Sequence, residues 1–290
     1  MGVIDVGSNT VRLLVARLDD AGPVRVCSER VRLGLGADLE ELGRVSDRKL
    51  TEATDAVRSL SARAAAHCPD APLVLVTAPG RQAENARELV AALERGARGP
   101  VRVLSATEEA TLSFYGAVAS ARQSAWPVAV VDLGGASTEI AVGRTTDGPG
   151  WIRSLDLGAL RLTTRLLRSE QPAQSRIDAA QAAAAAVFDS IEPPRAFEAL
   201  AVGGCARALR KIVGATLGPE ELAEAYEVLA TTTHAELVRR HGVHVSRAPL
   251  LLAAVLILSE VQQRLGAPLQ VVDGGLREGA LLASRAAIAA

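Results

Sequence analysis

The 290-residue chain predicts a two-lobed α/β fold, and three observations lead there. Strand-like and helix-like segments alternate along its length. With 49% hydrophobic residues it is long enough, and apolar enough, for two domains of ordinary size, each with its own core. One short pattern also occurs twice, as Val3-Ile4-Asp5-Val6-Gly7-Ser8-Asn9-Thr10 and as Val130-Val131-Asp132-Leu133-Gly134-Gly135-Ala136-Ser137-Thr138-Glu139. Each copy is an apolar strand running into an acid, then a small-residue turn, then a second apolar stretch. Hydroxyls and free amides in such a turn can wrap a phosphate, and the acid at the strand end can hold a divalent cation. Two copies, 127 residues apart from Asp5 to Asp132, suggest two related lobes facing one polyanionic substrate.

The elements follow in order. Residues 2–6, 11–17 and 24–33 read as strands of an antiparallel start, with Gly7-Ser8-Asn9 as the first turn. Ser46 opens an amphipathic helix to about His67, because Leu50, Ala53, Val57, Leu60 and Ala64 recur at helical spacing. Leu73 to Thr77 is a short buried strand, Asn85 to Arg95 a helix, and Val101 to Leu104 another strand. Ser105-Ala106-Thr107-Glu108 has capping-box spacing and starts a helix with Glu109 in its first turn. The second half repeats the style, with strands at 128–132, 138–143 and 151–156, then helices, among them the alanine-rich Ala179 to Val187. Leu200 to Val202 is a strand ending before Gly203-Gly204, and Leu269 to Val272 is a strand meeting Asp273-Gly274-Gly275. A final helix runs from about Arg277. The lobe boundary is expected where Gln123-Ser124-Ala125-Trp126-Pro127 breaks the helix, giving lobes of 1–124 and 125–290, with the last helix free to return to the first.

Composition removes several function classes. The net charge of −1 provides no basic field for nucleic acid, and 2% aromatics provide no base-stacking surface. Lys49 and Lys211 are the only lysines, so arginine carries nearly all the positive charge; its fork suits phosphate, and an arginine-rich genome explains the bias equally well. Cys27, Cys68 and Cys205 lie far apart, which fits a reducing cytoplasm and offers neither a disulfide framework nor a zinc site. His241 and His244 lack an acid-rich partner motif. No N-terminal signal pattern is present, and the apolar run Ala248 to Leu258 reads as a buried helix too short to span a bilayer. No Gly-x-x-x-x-Gly-Lys-Ser/Thr occurs, which excludes a P-loop, and Gly34-Leu35-Gly36 lacks the third glycine of a dinucleotide fingerprint.

Several ordered motifs together resemble the exopolyphosphatase and guanosine pentaphosphate phosphohydrolase (Ppx/GppA) family, essentially from end to end. They are Ile4 to Thr10 with Arg12-Leu13-Leu14, Thr77-Ala78-Pro79-Gly80-Arg81, Ser105-Ala106-Thr107-Glu108-Glu109-Ala110, and Asp132 to Glu139. Ser154-Leu155-Asp156-Leu157-Gly158 with Arg161-Leu162-Thr163, and Asp273-Gly274-Gly275-Leu276-Arg277-Glu278-Gly279, complete the series. The resemblance implies the actin-like ATPase fold shared with sugar kinases, Hsp70 and actin (ribonuclease H-like), with an active site in the cleft between the lobes. It implies Mg²⁺-dependent, or Mn²⁺-dependent, removal of the terminal phosphate of inorganic polyphosphate in the cytoplasm. Hydrolysis of guanosine pentaphosphate, a stringent-response reaction, is the nearest alternative. A phosphotransferase of the same fold group and a non-catalytic polyphosphate- or nucleotide-binding regulator are the others. No nucleic-acid or membrane partner is expected. Relatives of the fold group are often dimers, so a homodimer is a further expectation, although no interface is legible in the sequence.

The resemblance also assigns roles. Glu109 matches the base that activates the attacking water, against the alternative of a first-turn acid serving the helix dipole. Asp132 and Glu139 match magnesium-associated acids, with Asp5 a weaker member. Backbone amides and hydroxyls of Gly7, Ser8, Asn9 and Thr10, and of Gly134, Gly135, Ala136 and Ser137, would cradle the phosphate. Arg81 matches an arginine facing the substrate; Arg247 aligns with another, and a packing role fits it equally. For Arg12, Arg161 and Arg277 a structural ion pair is at least as good a reading. Four departures stand out: Ala136 for a glycine, Ala78 and Pro79 in place of a hydroxyl-bearing pattern, Thr164 for Glu, and Val202-Gly203-Gly204-Cys205-Ala206 where the family has a glycine- and threonine-rich turn. A methyl group at 136 is tolerable only with negative φ and a side chain turned away from the phosphate. Without a His-Asp doublet, the chain resembles the short two-domain form, which is expected to be less processive on long polymers.

Overall fold

The structure is a computed structural model describing residues 1–19, 22–121, 124 and 126–289. Two compact units emerge: Met1–Ala119 together with the segment from Gly274 onward, and Ser120–Asp273. In chain order the elements are β1 (Gly2–Val6), β2 (Thr10–Asp19), β3 (Gly22–Arg32), α1 (Leu35–Leu42), α2 (Asp47–Ala65), β4 (Leu73–Val76), α3 (Ala78–Gln82), α4 (Ala86–Gly96), β5 (Val101–Val103) and α5 (Ala106–Ala119). Then come β6 (Val128–Leu133), β7 (Thr138–Arg144), β8 (Gly148–Leu155), α6 (Ala159–Leu166), α7 (Gln174–Phe188), β9 (Glu198–Val202), α8 (Gly204–Val213) and β10 (Thr216–Leu217). The chain ends with α9 (Pro219–Thr231), α10 (His234–His241), a 3-10 turn at Ala248–Leu250, α11 (Leu251–Leu265), β11 (Leu269–Val271) and α12 (Leu276–Ala289).

In the first unit the sheet order is β3-β2-β1-β4-β5, antiparallel through β1 and parallel from β1 to β5. Its central strands are covered on both faces, so they read as continuous apolar runs rather than as an alternation. Ile4, Val6, Leu13 and Val74 face a core with Val57 and Leu60 of α2 and Leu89 and Leu93 of α4. Their neighbours Val3, Leu14 and Leu75 turn the other way and pack with Leu276 and Leu281 of α12. Two glycines let α12 lie directly on α5: a Cβ on Gly116 would overlap the Gly275 carbonyl, and one on Gly279 the Leu112 carbonyl.

The second unit has the order β10-β11-β9-β6-β7-β8. Strands β8-β7-β6-β9-β11 repeat the first unit's sheet in order and direction, and β10 adds an antiparallel edge. The repeated sequence pattern thus heralds a repeated topology.

Three expectations need correction or limits. Strand β8 begins at Gly148 instead of 151, because an edge strand tolerates the Gly148-Pro149-Gly150 that reads as a turn in sequence. The apolar run at 248 is not short: Ala248–Leu265 forms 18 residues of helix, long and apolar enough to cross a membrane by length and composition. Its polar tail simply continues the helix, with Glu260 buried and paired to Arg264 at 2.5 Å. This span is 72% buried within the protein, as the core helix of the second unit. Of the expected helix break, Gln123 and Ala125 lie outside the described residues.

Candidate active site

In each unit the signature residues sit at the carboxyl ends of neighbouring parallel strands, where open α/β sheets bind their ligands. In the first unit these are the turn after β1, Thr77 after β4, and the β5–α5 connection leading to Glu109. In the second they are the turn after β6 and Gly203-Gly204 after β9.

The two turns are built alike. Gly7 N–H donates to Thr10 O at 3.1 Å, and Gly134 N–H donates to Ser137 O at 3.0 Å. The amides of Gly7 and Gly134 are therefore spent closing their turns, and what these residues could offer a phosphate is shape. Among the described residues the N–H groups of Ser8, Asn9, Gly135 and Ala136 have no partner in the protein. Successive free amides of this kind form an anion-binding concavity. In the first turn Asn9 is buried, and its Nδ2 donates to nothing. A buried orphan donor is costly, by about 1–3 kcal/mol, unless a ligand satisfies it. Thr10 Oγ1 instead accepts from Arg12 Nε at 3.2 Å. Ser8 and Ser137 are buried as well.

The second turn is braced by α6. Ala159 N–H donates to Gly134 O at 3.1 Å, and Arg161 N–H to Gly135 O at 3.0 Å. A Cβ on Gly158 would overlap the Gly135 carbonyl and come within 2.6 Å of Ala136 N, so this close approach requires glycine. Ala136 is itself buried and, like every non-glycine residue described, has no positive φ; its methyl group is accommodated without strain.

Glu109 lies one turn into α5 and is 8% exposed. Its Oε2 accepts from Arg81 at 2.7 Å, and the same Arg81 nitrogen donates to the Leu104 carbonyl at 2.9 Å. Glu108 takes the capping role: Ser105 N–H donates to its carboxylate at 2.8 Å, and Ser105 Oγ accepts from Glu108 N–H at 3.1 Å. The Ser105 amide, then its hydroxyl and the neighbouring Arg102 guanidinium, hold the Glu108 carboxyl below the usual carboxylate range. The two adjacent acids are thus divided between capping and the candidate site. Arg81 meets this acid directly, a contact its spacing in sequence does not announce.

In the second unit Asp132 and Glu139 are register partners on β6 and β7, so their side chains share a face of the sheet. Glu139 is 1% exposed and accepts from Ser154 Oγ at 2.8 Å. Asp132 borders the β9–α8 turn, where a Cβ on Gly203 would lie 3.3 Å from Oδ1. Gly203 has φ +100° and so requires glycine. Arg247, buried, lays its guanidinium on Gly204, where an added Cβ would fall 2.7 Å from Cζ. The structure therefore brings Asp132, Gly203, Gly204 and Arg247 into one neighbourhood, and the missing side chain at Gly204 leaves room for the arginine. Arg161 bonds to the Asp156 carbonyl at 2.9 Å and Arg277 to the Leu13 carbonyl at 3.2 Å, which gives both a structural role.

Asp5 stands at the end of β1, with Oδ1 3.9 Å from where a Gly7 Cβ would be, and belongs to the first unit. Among the described residues no group of three or more His, Cys, Asp or Glu could cage a metal. Asp132 and Glu139 on one face instead fit a Mg²⁺ that takes one or two carboxylates and shares its other positions with water and phosphate oxygens. Thr77 and Ser154 lie within motifs quoted above, and nothing in their sequence spacing marks either hydroxyl. Thr77 Oγ1 lies 3.8 Å from the Gly7 Cβ position and donates to Val6 O at 3.3 Å.

Known proteins resemble this chain along nearly its whole length. The family model described as the Ppx/GppA phosphatase family matches residues 14–286. A Streptomyces coelicolor protein, itself uncharacterized, is 31% identical over 97% of this chain and 88% of its own. Exopolyphosphatase 1 of Mycobacterium bovis is 25% identical over 97% and 87%. Among solved structures, an exopolyphosphatase-like protein superposes with a TM-score of 0.88 at 26% identity, covering 99% of both chains. The Aquifex aeolicus Ppx/GppA family member gives 0.83 at 22%, covering 99% and 97%, and speaks to the fold alone.

Proposed function

The chain belongs to the Ppx/GppA phosphatase family, and from that premise we propose that it is an exopolyphosphatase, releasing orthophosphate from the end of inorganic polyphosphate. The observation that most supports a phosphoanhydride substrate is the orphaned Asn9 Nδ2, buried within a turn whose Ser8 and Asn9 amides also lack partners. A terminal phosphoryl oxygen would satisfy all three donors. The second turn offers the amides of Gly135 and Ala136 in the same way.

Glu109 is the base in this reading. It accepts a proton from the attacking water as the new P–O bond forms and the bond to the departing chain breaks. Arg81 keeps its carboxylate oriented, and Arg247 and the turn amides bind phosphate oxygens whose charge redistributes in the transition state. Asp132 and Glu139 would hold Mg²⁺, or Mn²⁺, which supplies charge neutralisation to the phosphates when bound.

The test is phosphate release by purified protein from polyphosphates of defined length, with and without Mg²⁺, beside guanosine pentaphosphate. The expected result is Mg²⁺-dependent release, faster from polyphosphate, which Glu109→Gln abolishes. Full activity in that variant would overturn the mechanism, and a strong preference for guanosine pentaphosphate would overturn the substrate assignment.

A further inference from the structure

Three side chains lie in one row across three strands. Asp132 of β6 is the register partner of Glu139 of β7, and Glu139 is the register partner of Ser154 of β8. Register partners point to the same face, so the row is a geometric consequence of the two antiparallel pairings. Its middle member is an acid 1% exposed, an unusual place for a carboxylate unless other groups hold it there. Ser154 Oγ donates to Glu139 Oε1 at 2.8 Å.

We propose that Ser154 is a positioning residue for the divalent-cation site: its hydroxyl fixes the Glu139 carboxylate so that the acid meets the cation already oriented. The inference rests on the reading of Asp132 and Glu139 as cation-associated acids. A glutamate has three side-chain torsions, and one free to turn must be ordered each time a cation binds. A hydroxyl bonded to one carboxylate oxygen removes that cost in advance and leaves the chemistry to the acid. Partners of this kind typically contribute 10- to 100-fold in metal affinity.

Ser154 is well placed for the task. The next residue, Leu155, is buried in the core of the second unit, and Leu157 accepts a hydrogen bond from Thr138, the neighbour of Glu139. The segment carrying Ser154 is thus tied at two further points to the strand and turn that carry the acids, and the hydroxyl cannot drift independently of them.

Mn²⁺ serves as the probe, with free ion counted by electron paramagnetic resonance on the full chain in the presence of inorganic tripolyphosphate and the Glu109→Gln substitution, which keeps the phosphate intact. Ser154→Ala should weaken Mn²⁺ uptake 10- to 100-fold, and Ser154→Thr, which keeps the hydroxyl, should restore most of it. In activity assays with Glu109 present, Ser154→Ala should raise the Mg²⁺ concentration for half-maximal rate by a similar factor while kcat at saturating Mg²⁺ changes less than threefold. Alanine and wild-type residues that bind Mn²⁺ equally would overturn the role of Ser154 and leave the cation reading standing. A protein with Ser154 intact that takes up no Mn²⁺ beyond tripolyphosphate alone, or that is unaffected by Glu139→Gln, would overturn the cation reading and this inference with it. A loss confined to kcat, or one that threonine fails to restore, would also count against positioning.

Discussion

The pair Arg81–Glu109 is the contact on which the proposed chemistry depends, and its energetics can be worked from the structure. The two groups approach to 2.7 Å, and their side chains are 20% and 11% exposed. Two unit charges about 4 Å apart attract by roughly 4 kcal/mol at the effective dielectric of about 20 that suits such sites. Desolvating both groups offsets much of that gain. The expected coupling in a double-mutant cycle of Arg81→Gln and Glu109→Gln is therefore about 1.5–3 kcal/mol. The single variants should differ. Arg81→Gln deprives a buried carboxylate of its arginine and should cost about 2–4 kcal/mol, somewhat under the usual range for a buried pair because both groups retain some exposure. Glu109→Gln leaves Arg81 its bond to the Leu104 carbonyl and should cost less. Urea unfolding of the four proteins, with phosphate release measured in parallel, gives all the terms. A coupling below about 0.5 kcal/mol, the level of an exposed pair, or an Arg81→Gln variant as stable as wild type, would refute the claim that this arginine holds the base in place.

Gly158→Ala should destabilise by about 2–3 kcal/mol or more, since the new methyl group must displace the Gly135 carbonyl in the second turn, and phosphate release should fall with it. Gly150→Ala, where nothing lies within 4 Å, should leave thermal melting nearly unchanged. Ala136→Gly should cost no more than about 0.5–1 kcal/mol and alter the rate of phosphate release less than threefold, because the alanine is already unstrained. The Glu108 carboxyl is held low in the folded protein, so it adds stability at pH values above its unfolded pKa and gives it up as pH falls through its folded pKa. Acid titration of Glu108→Gln, followed by circular dichroism, should show a shallower loss of stability below about pH 4.3, the unfolded value for glutamate. An unchanged acid slope would assign that carboxyl no part in the cap.

What was legible in the sequence depended on how local its cause was. The first capping box is set by Ser105 and Glu108 alone, and it formed as its spacing predicts. The repeated turns were legible for the same reason, because four consecutive residues close each one. Contacts made across strands or helices were not legible. The Glu139–Ser154 bond depends on the register of β7 with β8, which shifts at an irregularity between Val142 and Gly143. The seat of Arg247 on Gly204 joins residues 43 apart in the chain, through a packing of helices that no short pattern encodes. Edge tolerance hid the first residues of β8, and the buried Glu260–Arg264 pair hid the true length of the core helix.

The repeat also shows where the two units differ at matching positions. Their sheets correspond strand for strand, so the connection after β4 in the first unit matches the connection after β9 in the second. In the first unit that position carries Thr77 and, four residues on, Arg81, and the following strand leads to α5 with Glu109. In the second it carries Gly203-Gly204, which has no side chain to offer and instead admits Arg247 from the segment before the core helix. The partner of the first acid differs as well: Asp5 faces Arg12 across β1 and β2, whereas Asp132 faces Glu139 across β6 and β7. An acid that faces an arginine across the strands would gain less from a cation than one that faces a second acid. An acid opposite a second acid is a cluster of negative charge that a divalent ion relieves. From this difference alone, exchanging the two facing residues should move cation affinity with them. Glu139→Arg should abolish Mn²⁺ uptake while the turn that closes through Gly134 and Ser137 remains. Retention of uptake in a folded Glu139→Arg protein would show that the cation draws on neither member of the second pair as described.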